Sequence, residues 1–468
     1  MRQLQLAELR DSWTAWLGVC LGFVVTNFAL ALCALVELAG VRAVQSGQMQ
    51  WINSASFTWG PAFNLVLCSI VGAVVIGSST SLVVDSRRGS LARLALTGAT
   101  PGQVVLTIMS QLAAVCLACA VLGDVAAYLL LDPVMSFLLS TDNNELLVRA
   151  TPVYALWPVL LANLFAVGLA LMGGFKQARR ASHIPPVEAL RQATGTSEER
   201  MTIGRWVRAG LCLVLIVITY SVTPGVAAST GKEGFSNTFQ SSALLLIVAG
   251  AFLAQLAPAL VGPLTRAWTA LVPSFDPTWD LTRSTTVTKA ARLTKSVVPV
   301  MLTIGIFFGM AALGATLQST LRANGDGTVI EGIGAVDLLP VLGLPLLLSL
   351  SGGVGSLIMM SKQRNAELAL SGIVGTTPGQ RVLMPVLEGV VITVTAALLS
   401  LVMVAVSIGI MAVGVPAAGL AFAFVPRYAV FAVGLLVCLV ITVAATLLPT
   451  LRSLRLPEPR VIARLVAE

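Results

Sequence analysis

The chain has few side chains suited to covalent or metal chemistry. It contains one histidine, His183, and seven cysteines. Cys116 and Cys119 have the C-x-x-C spacing of redox and zinc sites, but both lie in an apolar stretch without a second pair or a histidine, which favours small packing residues. A phosphate loop requires G-x-x-x-x-G-K-[ST], whereas Gly231-Lys232 is followed by Glu233. The sequence therefore predicts no metal, no cofactor in this chain and no enzyme activity.

Ionisable residues within apolar stretches are the remaining candidates for chemistry, because such residues are rare there and usually functional. They are Glu37, Asp124, Asp337 and Glu388. Asp124 or Glu388 could serve an ion-coupled transporter.

Four uncharged residues are candidates for a substrate cavity. Asn27 and Asn64 could face a substrate or form hydrogen bonds between helices, and Phe307 and Phe308 could supply an apolar wall.

The composition indicates the elements that must position these residues. Apolar residues make up 56% of the chain and charged residues only 11%, whereas soluble proteins carry about 25% charged residues. Ten apolar stretches approach the roughly 20 residues that a spanning helix needs. We place them near 15–38, 61–84, 102–131, 153–174, 209–228, 244–261, 297–317, 338–360, 382–413 and 428–448. The sequence thus predicts an all-α integral membrane protein with ten spans, of which the fifth is interrupted by Pro224-Gly225.

The basic residues predict the orientation. With a cytoplasmic N-terminus, all but five of the 29 Lys and Arg residues lie on the inner side, as the positive-inside rule requires. Both termini are then cytoplasmic. The net charge of +8 reflects this topology and contact with anionic lipid, and nucleic acid is not an expected partner.

One polar segment occurs twice, each time between two spans. Arg87 and Arg364 are 277 positions apart, and the same shift aligns Gly98 with Gly375 and Thr100-Pro101-Gly102-Gln103 with Thr377-Pro378-Gly379-Gln380. We call residues 85–103 the first connector and residues 362–380 the second connector. These polar residues match between the two copies, whereas the apolar residues around them differ. This favours contact with a partner, although the arginines could simply anchor the ends of spans 2 and 8.

The register defines two parallel four-span repeats, 1–195 and 276–468, joined by a two-span linker, 196–275. Each repeat begins inside, so the repeats share one orientation. Spans 1 and 7 each carry a G-x-x-x-G, formed by Gly18 and Gly22 and by Gly305 and Gly309, which predicts close helix packing.

These features resemble the FtsX/MacB-like permeases of ABC transporters, in a fused two-repeat form without the large extracellular domain. The resemblance lies in the four-span unit, the basic connector that leads into the third span of each repeat, and the carboxylate Glu388, which Gln111 replaces in the first repeat. The resemblance favours a structural role for Glu388 over proton transport. It also implies that a separate, homodimeric ABC ATPase binds ATP and Mg²⁺, with two ATPase chains per permease. The residues that would couple to it are Arg87, Arg88, Leu91, Arg93, Gly98, Arg364, Glu367, Leu368 and Gly375.

The resulting expectation is a permease of a bacterial plasma membrane that exports or extracts a hydrophobic or amphipathic molecule. Membrane lipid and that substrate are its other partners. A mechanotransducer that regulates an extracytoplasmic partner and an ion-coupled secondary transporter are the alternatives. The sequence does not name the substrate.

Overall fold

The computed structural model describes residues 13–46, 59–86, 100–141, 151–182, 202–230, 232–273, 276–288, 290–325 and 339–454. Every regular element in these ranges is an α-helix, which confirms the predicted all-α class. The helices are α1 (Trp13–Gln45), α2 (Trp59–Ser86), α3 (Pro101–Thr141), α4 (Leu156–Ser182), α5 (Ile203–Thr230), α6 (Lys232–Ala270), α7 (Pro277–Thr288), α8 (Ala290–Ala323), α9 (Leu339–Met359), α10 (Ser361–Ile373), α11 (Pro378–Ala417) and α12 (Tyr428–Leu454).

Ten of the helices in the described ranges are long and apolar enough to cross a membrane. They are α1 to α6, α8, α9, α11 and α12, and they coincide with the ten predicted spans. The fifth span is one continuous helix, because α5 runs through Pro224 to Thr230. The two remaining helices, α7 and α10, are short and rich in polar residues. The chain is therefore a multi-pass membrane protein.

The first structural unit comprises residues 1–197 together with 340–360. Its central helix, α1, packs against α2, α3 and α4. Leu32 and Leu35 of α1 and Leu131 of α3 are fully buried in one apolar cluster. The α9 helix belongs to the same unit, where Gly18 and Gly355 allow the backbones of α1 and α9 to touch.

The second structural unit comprises residues 198–339 together with 361–468. Its central helix, α11, packs against α5, α6, α7, α8, α10 and α12. Polar contacts tie the two predicted linker spans to it: Tyr220 donates a 2.6 Å hydrogen bond to the Val406 carbonyl, and Ser407 donates a 2.7 Å bond to the Ser242 carbonyl. The linker is thus packed on repeat helices. The boundaries 1–195, 196–275 and 276–468 describe sequence register and stay a prediction.

Candidate functional site

The second connector begins with α10, and local backbone chemistry ends that helix. Gly375 has φ +105°, a conformation that glycine adopts without strain. Its amide donates to the Gly372 carbonyl at 3.1 Å, and the Thr376 amide donates to the Ser371 carbonyl at 3.1 Å. This pair of bonds is a Schellman motif. Gly375 therefore terminates a helix, whatever else the connector contacts.

The repeated Thr-Pro-Gly-Gln begins the following helix in both halves. Thr377 accepts a 3.3 Å hydrogen bond from the Gln380 amide, and the Gln380 side chain accepts a 2.9 Å bond from the Thr377 amide. Thr100 and Gln103 make the same reciprocal pair, at 3.4 and 3.0 Å. This is a capping box, with proline at the first helical position. Helix capping accounts for the register of these four residues without a partner.

A buried ion pair holds α10 to two other helices. The Nε of Arg364 lies 2.7 Å from the Oε2 of Glu388 on α11, and Nη2 donates to Oε1 at 3.2 Å. Nη1 donates to the carbonyl of Thr446 on α12 at 3.3 Å. The Arg364 and Glu388 side chains are only 4% and 14% exposed. Buried charges are stable when they are paired and hydrogen-bonded, so the connector is fixed at this point.

The exposed face of the second connector consists of different residues from those expected. Leu370, Ile373 and Val374 are 56%, 63% and 87% exposed. Leu368 and Arg364, two of the residues expected to couple to an ATPase, are buried in unit 2 and are not part of this exposed face. Glu367 is half-buried. A coupling role for these residues stays a prediction, with Arg364 and Leu368 acting from inside the unit.

The first connector can be compared only through its flanks, because Arg87, Arg88, Leu91, Arg93 and Gly98 lie outside the described residues. On α3, Gln111 and Leu112 occupy the register positions of Glu388 and Gly389 and are buried. They border a small cavity of about 10 Å³, whose other lining residues are Trp16, Thr80, Val83, Val84 and Ile108. A cavity of this size is just large enough for one water molecule.

The four glycines predicted to pack helices contact several different neighbours. A methyl group at Gly18 would overlap the Gly355 carbonyl of α9, and one at Gly22 would lie 3.3 Å from Val75 of α2. In unit 2, a methyl group at Gly305 would lie 2.6 Å from Met403 of α11, and one at Gly309 would lie 2.5 Å from Leu246 of α6. Close approach of spans 1 and 7 at these glycines stays a prediction.

The residues expected to line a substrate cavity are packed between or along helices. Asn27 is fully buried, and its amide donates to the Phe23 carbonyl of its own helix at 2.7 Å. Asn64 is also buried. Phe307 lies against Gly434 of α12, and Phe308 lies 4.8 Å from the ring of Phe431 on the same helix. None of them lines the cavity described above, and a substrate role for them stays a prediction.

Two carboxylates in the apolar spans of unit 1 are described. Asp124 of α3 accepts a 2.7 Å hydrogen bond from the amide of Asn163 on α4, and Glu37 is half-buried on α1. Asp337 lies outside the described residues. Sequence reasoning missed the Asn163 partner, because the two residues are far apart in the chain and only helix packing joins them. Among the described residues, no group of three or more His, Cys, Asp or Glu is placed to hold a metal ion.

Comparison with known proteins identifies one stretch of the chain. Residues 62–186 match the family described as FtsX-like permease C-terminal. This stretch covers α2 to α4 and the first connector, so the predicted resemblance to FtsX-like permeases is confirmed there. No curated protein matches the chain. Permeases of this family are in general membrane subunits of ABC transporters, which have no enzyme activity of their own and work with a separate ABC ATPase.

Proposed function

We propose that this chain is the membrane subunit of an ATP-driven transporter and that its two connectors dock a separate, homodimeric ATPase on the cytoplasmic side of a bacterial plasma membrane. One observation supports the proposal above the others: the apolar side chains of Leu370, Ile373 and Val374 are exposed, on a connector helix that is not among the helices long and apolar enough to cross a membrane. An exposed apolar group in water is costly unless a partner covers it. We call these three residues the connector patch.

The connector patch and the ion-paired Arg364 lie on different faces of the second connector. Arg364 and Leu368 face the interior of unit 2, while Leu370, Ile373 and Val374 remain accessible. The connector therefore has an inner face that holds it to the permease and an outer face available to a partner. An ATPase that presents an apolar cleft would cover this outer face, and surrounding charges would orient it.

The two connectors give one permease chain two docking sites, which matches the two subunits of an ATPase dimer. Both connectors end in the same capping box, so each leads into a spanning helix in the same way. ATP and Mg²⁺ would be bound by the partner. The transported molecule would be hydrophobic or amphipathic, because such molecules dissolve in the lipid bilayer around the protein and can reach it from there.

The test is co-purification with the ATPase encoded beside this gene. Val374→Asp places a charge on the most exposed residue of the connector patch, and we expect it to reduce ATPase recovery by roughly tenfold or more, as loss of a main apolar contact does in other interfaces. Val425→Asp is the matched control. Val425 is 42% exposed and lies beyond α11, on the predicted outer side. Equal recovery of the ATPase with wild type and Val374→Asp would refute the docking site.

An ion-coupled transporter is the alternative that a specific contact favours, namely the Asp124–Asn163 hydrogen bond within the apolar spans. Transport by proteoliposomes separates the two. Transport that requires ATP and survives collapse of the ion gradients supports the permease, whereas transport that follows an ion gradient without ATP and is lost in Asp124→Asn supports ion coupling.

A further inference from the structure

The pair Arg364–Glu388 joins three helices at one point. Arg364 belongs to the connector helix α10, Glu388 to α11 and Thr446 to α12. The guanidinium contacts both carboxylate oxygens and also donates to a backbone carbonyl. A planar guanidinium suits such a two-pronged contact better than a lysine does.

The α11–α12 contact beside this pair is itself close and hydrogen-bonded. The Thr446 hydroxyl donates to the Pro385 carbonyl at 3.0 Å. Gly389 lies so near α12 that a methyl group there would be 3.0 Å from Val443 and 3.3 Å from Thr446. The ion pair therefore attaches the connector to two helices that are already fixed to each other.

The chemistry of the pair opposes independent motion of the connector. Moving α10 away from α11 would separate two charges whose side chains are only 4% and 14% exposed to water. Separating such a pair leaves each charge without compensation, and this costs more than forming the pair gains. If a partner moves the connector patch, α10, α11 and α12 then move together.

The first repeat lacks the carboxylate that this arrangement needs. Gln111 occupies the register position of Glu388, and Arg87 that of Arg364. Gln111 is 4% exposed and borders the small cavity of unit 1. A neutral amide at this position carries no charge that could compensate a buried guanidinium.

We infer that Arg364 and Glu388 are positioning residues that link the second connector rigidly to α11 and α12, so that the two connectors of this chain transmit motion unequally. The second connector is the one that is more rigidly attached to its spanning helices. The inference rests on the proposed function for what the motion achieves, but the rigid link is a property of the chain alone.

Hydrogen–deuterium exchange of the purified chain in lipid nanodiscs tests the link without any ATPase. In Glu388→Gln, we expect the amides of α10 to exchange roughly tenfold faster or more, with little change in α1 to α4. The charge-swapped double variant Arg364→Glu, Glu388→Arg restores an ion pair at the site and should recover part of the protection. Gln111→Leu, at the matching position of the first repeat, should leave α10 exchange unchanged. Unchanged α10 exchange in Glu388→Gln, or a uniform rise across the whole chain, would overturn the inference.

A second readout separates positioning from docking. In proteoliposomes with the ATPase, Glu388→Gln should keep ATPase binding yet transport several-fold less per ATP hydrolysed, whereas Val374→Asp should lose binding itself. Failure of the ATPase to bind the wild-type chain would refute the proposed function and leave the exchange result standing. Normal transport per ATP in Glu388→Gln, with binding intact, would refute the unequal transmission.

Discussion

Two matching helix pairs lie beside the connectors, α3 with α4 in unit 1 and α11 with α12 in unit 2, and different interactions join the helices of each pair. In unit 2, Glu388 pairs with Arg364. The absence of a side chain at Gly389 of α11 allows Val443 and Thr446 of α12 to pack closely against it. In unit 1, Gln111 and Leu112 hold those two positions, and Leu112 packs against Gly174 of α4. The small residue is on the third span of one repeat and on the fourth span of the other.

This difference teaches that the register fixes where helices begin, while the side chains a few turns later decide how the third and fourth spans of each repeat pack together. The capping boxes at Thr100 and Thr377 have the same hydrogen bonds in both halves. The buried contacts a few turns later differ in charge and in size. Two repeats can therefore keep the same helix starts while a few buried contacts between their helices differ.

The largest expected effect comes from breaking the ion pair of unit 2. Arg364→Ala leaves the Glu388 carboxylate buried without its partner, and removal of one member of a buried pair costs about 3–5 kcal/mol. The matched change in unit 1, Gln111→Ala, removes a buried amide and should cost about 1–3 kcal/mol. Denaturant titration of each purified variant in mixed micelles measures the change in the free energy of unfolding.

The order of these two costs is what tests the comparison. A Gln111→Ala variant that loses as much stability as Arg364→Ala would show that the two helix pairs are held equally. Arg364→Lys is the control for charge. It keeps the positive charge but loses the two-pronged contact, and it should fall between wild type and Arg364→Ala.

Exchanging the small and large residues gives the next effect. Leu112→Gly removes a fully buried side chain from the α3–α4 contact, and large-to-small changes of this kind cost about 2–5 kcal/mol. Gly389→Leu inserts the unit 1 residue into unit 2, where Val443 and Thr446 already occupy the space, and overpacking costs about 1–3 kcal/mol. Thermal unfolding midpoints of the two variants check both directions.

A reciprocal variant sharpens this test. Gly174→Leu alone should overlap Leu112, because a methyl group at Gly174 already meets that side chain. Combining it with Leu112→Gly moves the bulk from α3 to α4 and should recover part of the lost midpoint. A double variant less stable than the sum of its single changes would contradict the idea that this α3–α4 contact needs only one large side chain, on either helix.

The smallest effect is one that the two halves should share. Thr100→Ala and Thr377→Ala each remove one capping box, and loss of a cap costs about 0.5–2 kcal/mol. We expect equal losses of unfolding free energy in the two variants. Thr100→Ser and Thr377→Ser keep the capping oxygen and serve as controls. A clear difference between the two alanine variants would show that the shared motif does more than start a helix in one half.

Much of this architecture could be predicted from the sequence. The lengths of the apolar stretches predicted all ten spans, including the fifth, where α5 continues through Pro224. A long apolar stretch stays helical across a single proline, because backbone groups inside the bilayer find no water and must form their hydrogen bonds within the protein. The repeated connector was also visible. Its Thr-Pro-Gly-Gln could have been interpreted as a capping box, since Thr and Gln three positions apart with proline between them are the known signature.

The site itself was only partly predictable. The sequence pointed to Arg364, Leu368 and Glu388 but not to the contact between Arg364 and Glu388, because connector residues in a polar segment are expected to be exposed. Helical phase decides that Arg364 and Leu368, four residues apart, face inward together, while Leu370, Ile373 and Val374 face outward. That phase depends on where α10 begins and on how it packs against α12, and neither is fixed by composition. The Asp124–Asn163 contact was hidden for the same reason.

The most direct test of the account is the stoichiometry of the assembled transporter, because one chain with two unequal connectors should need no second copy of itself. Native mass spectrometry of the complex with its ATPase measures it. We predict one permease chain of 48.7 kDa with two ATPase subunits, and loss of ATPase subunits in Val374→Asp. A complex that contains two permease chains per ATPase dimer would contradict the account.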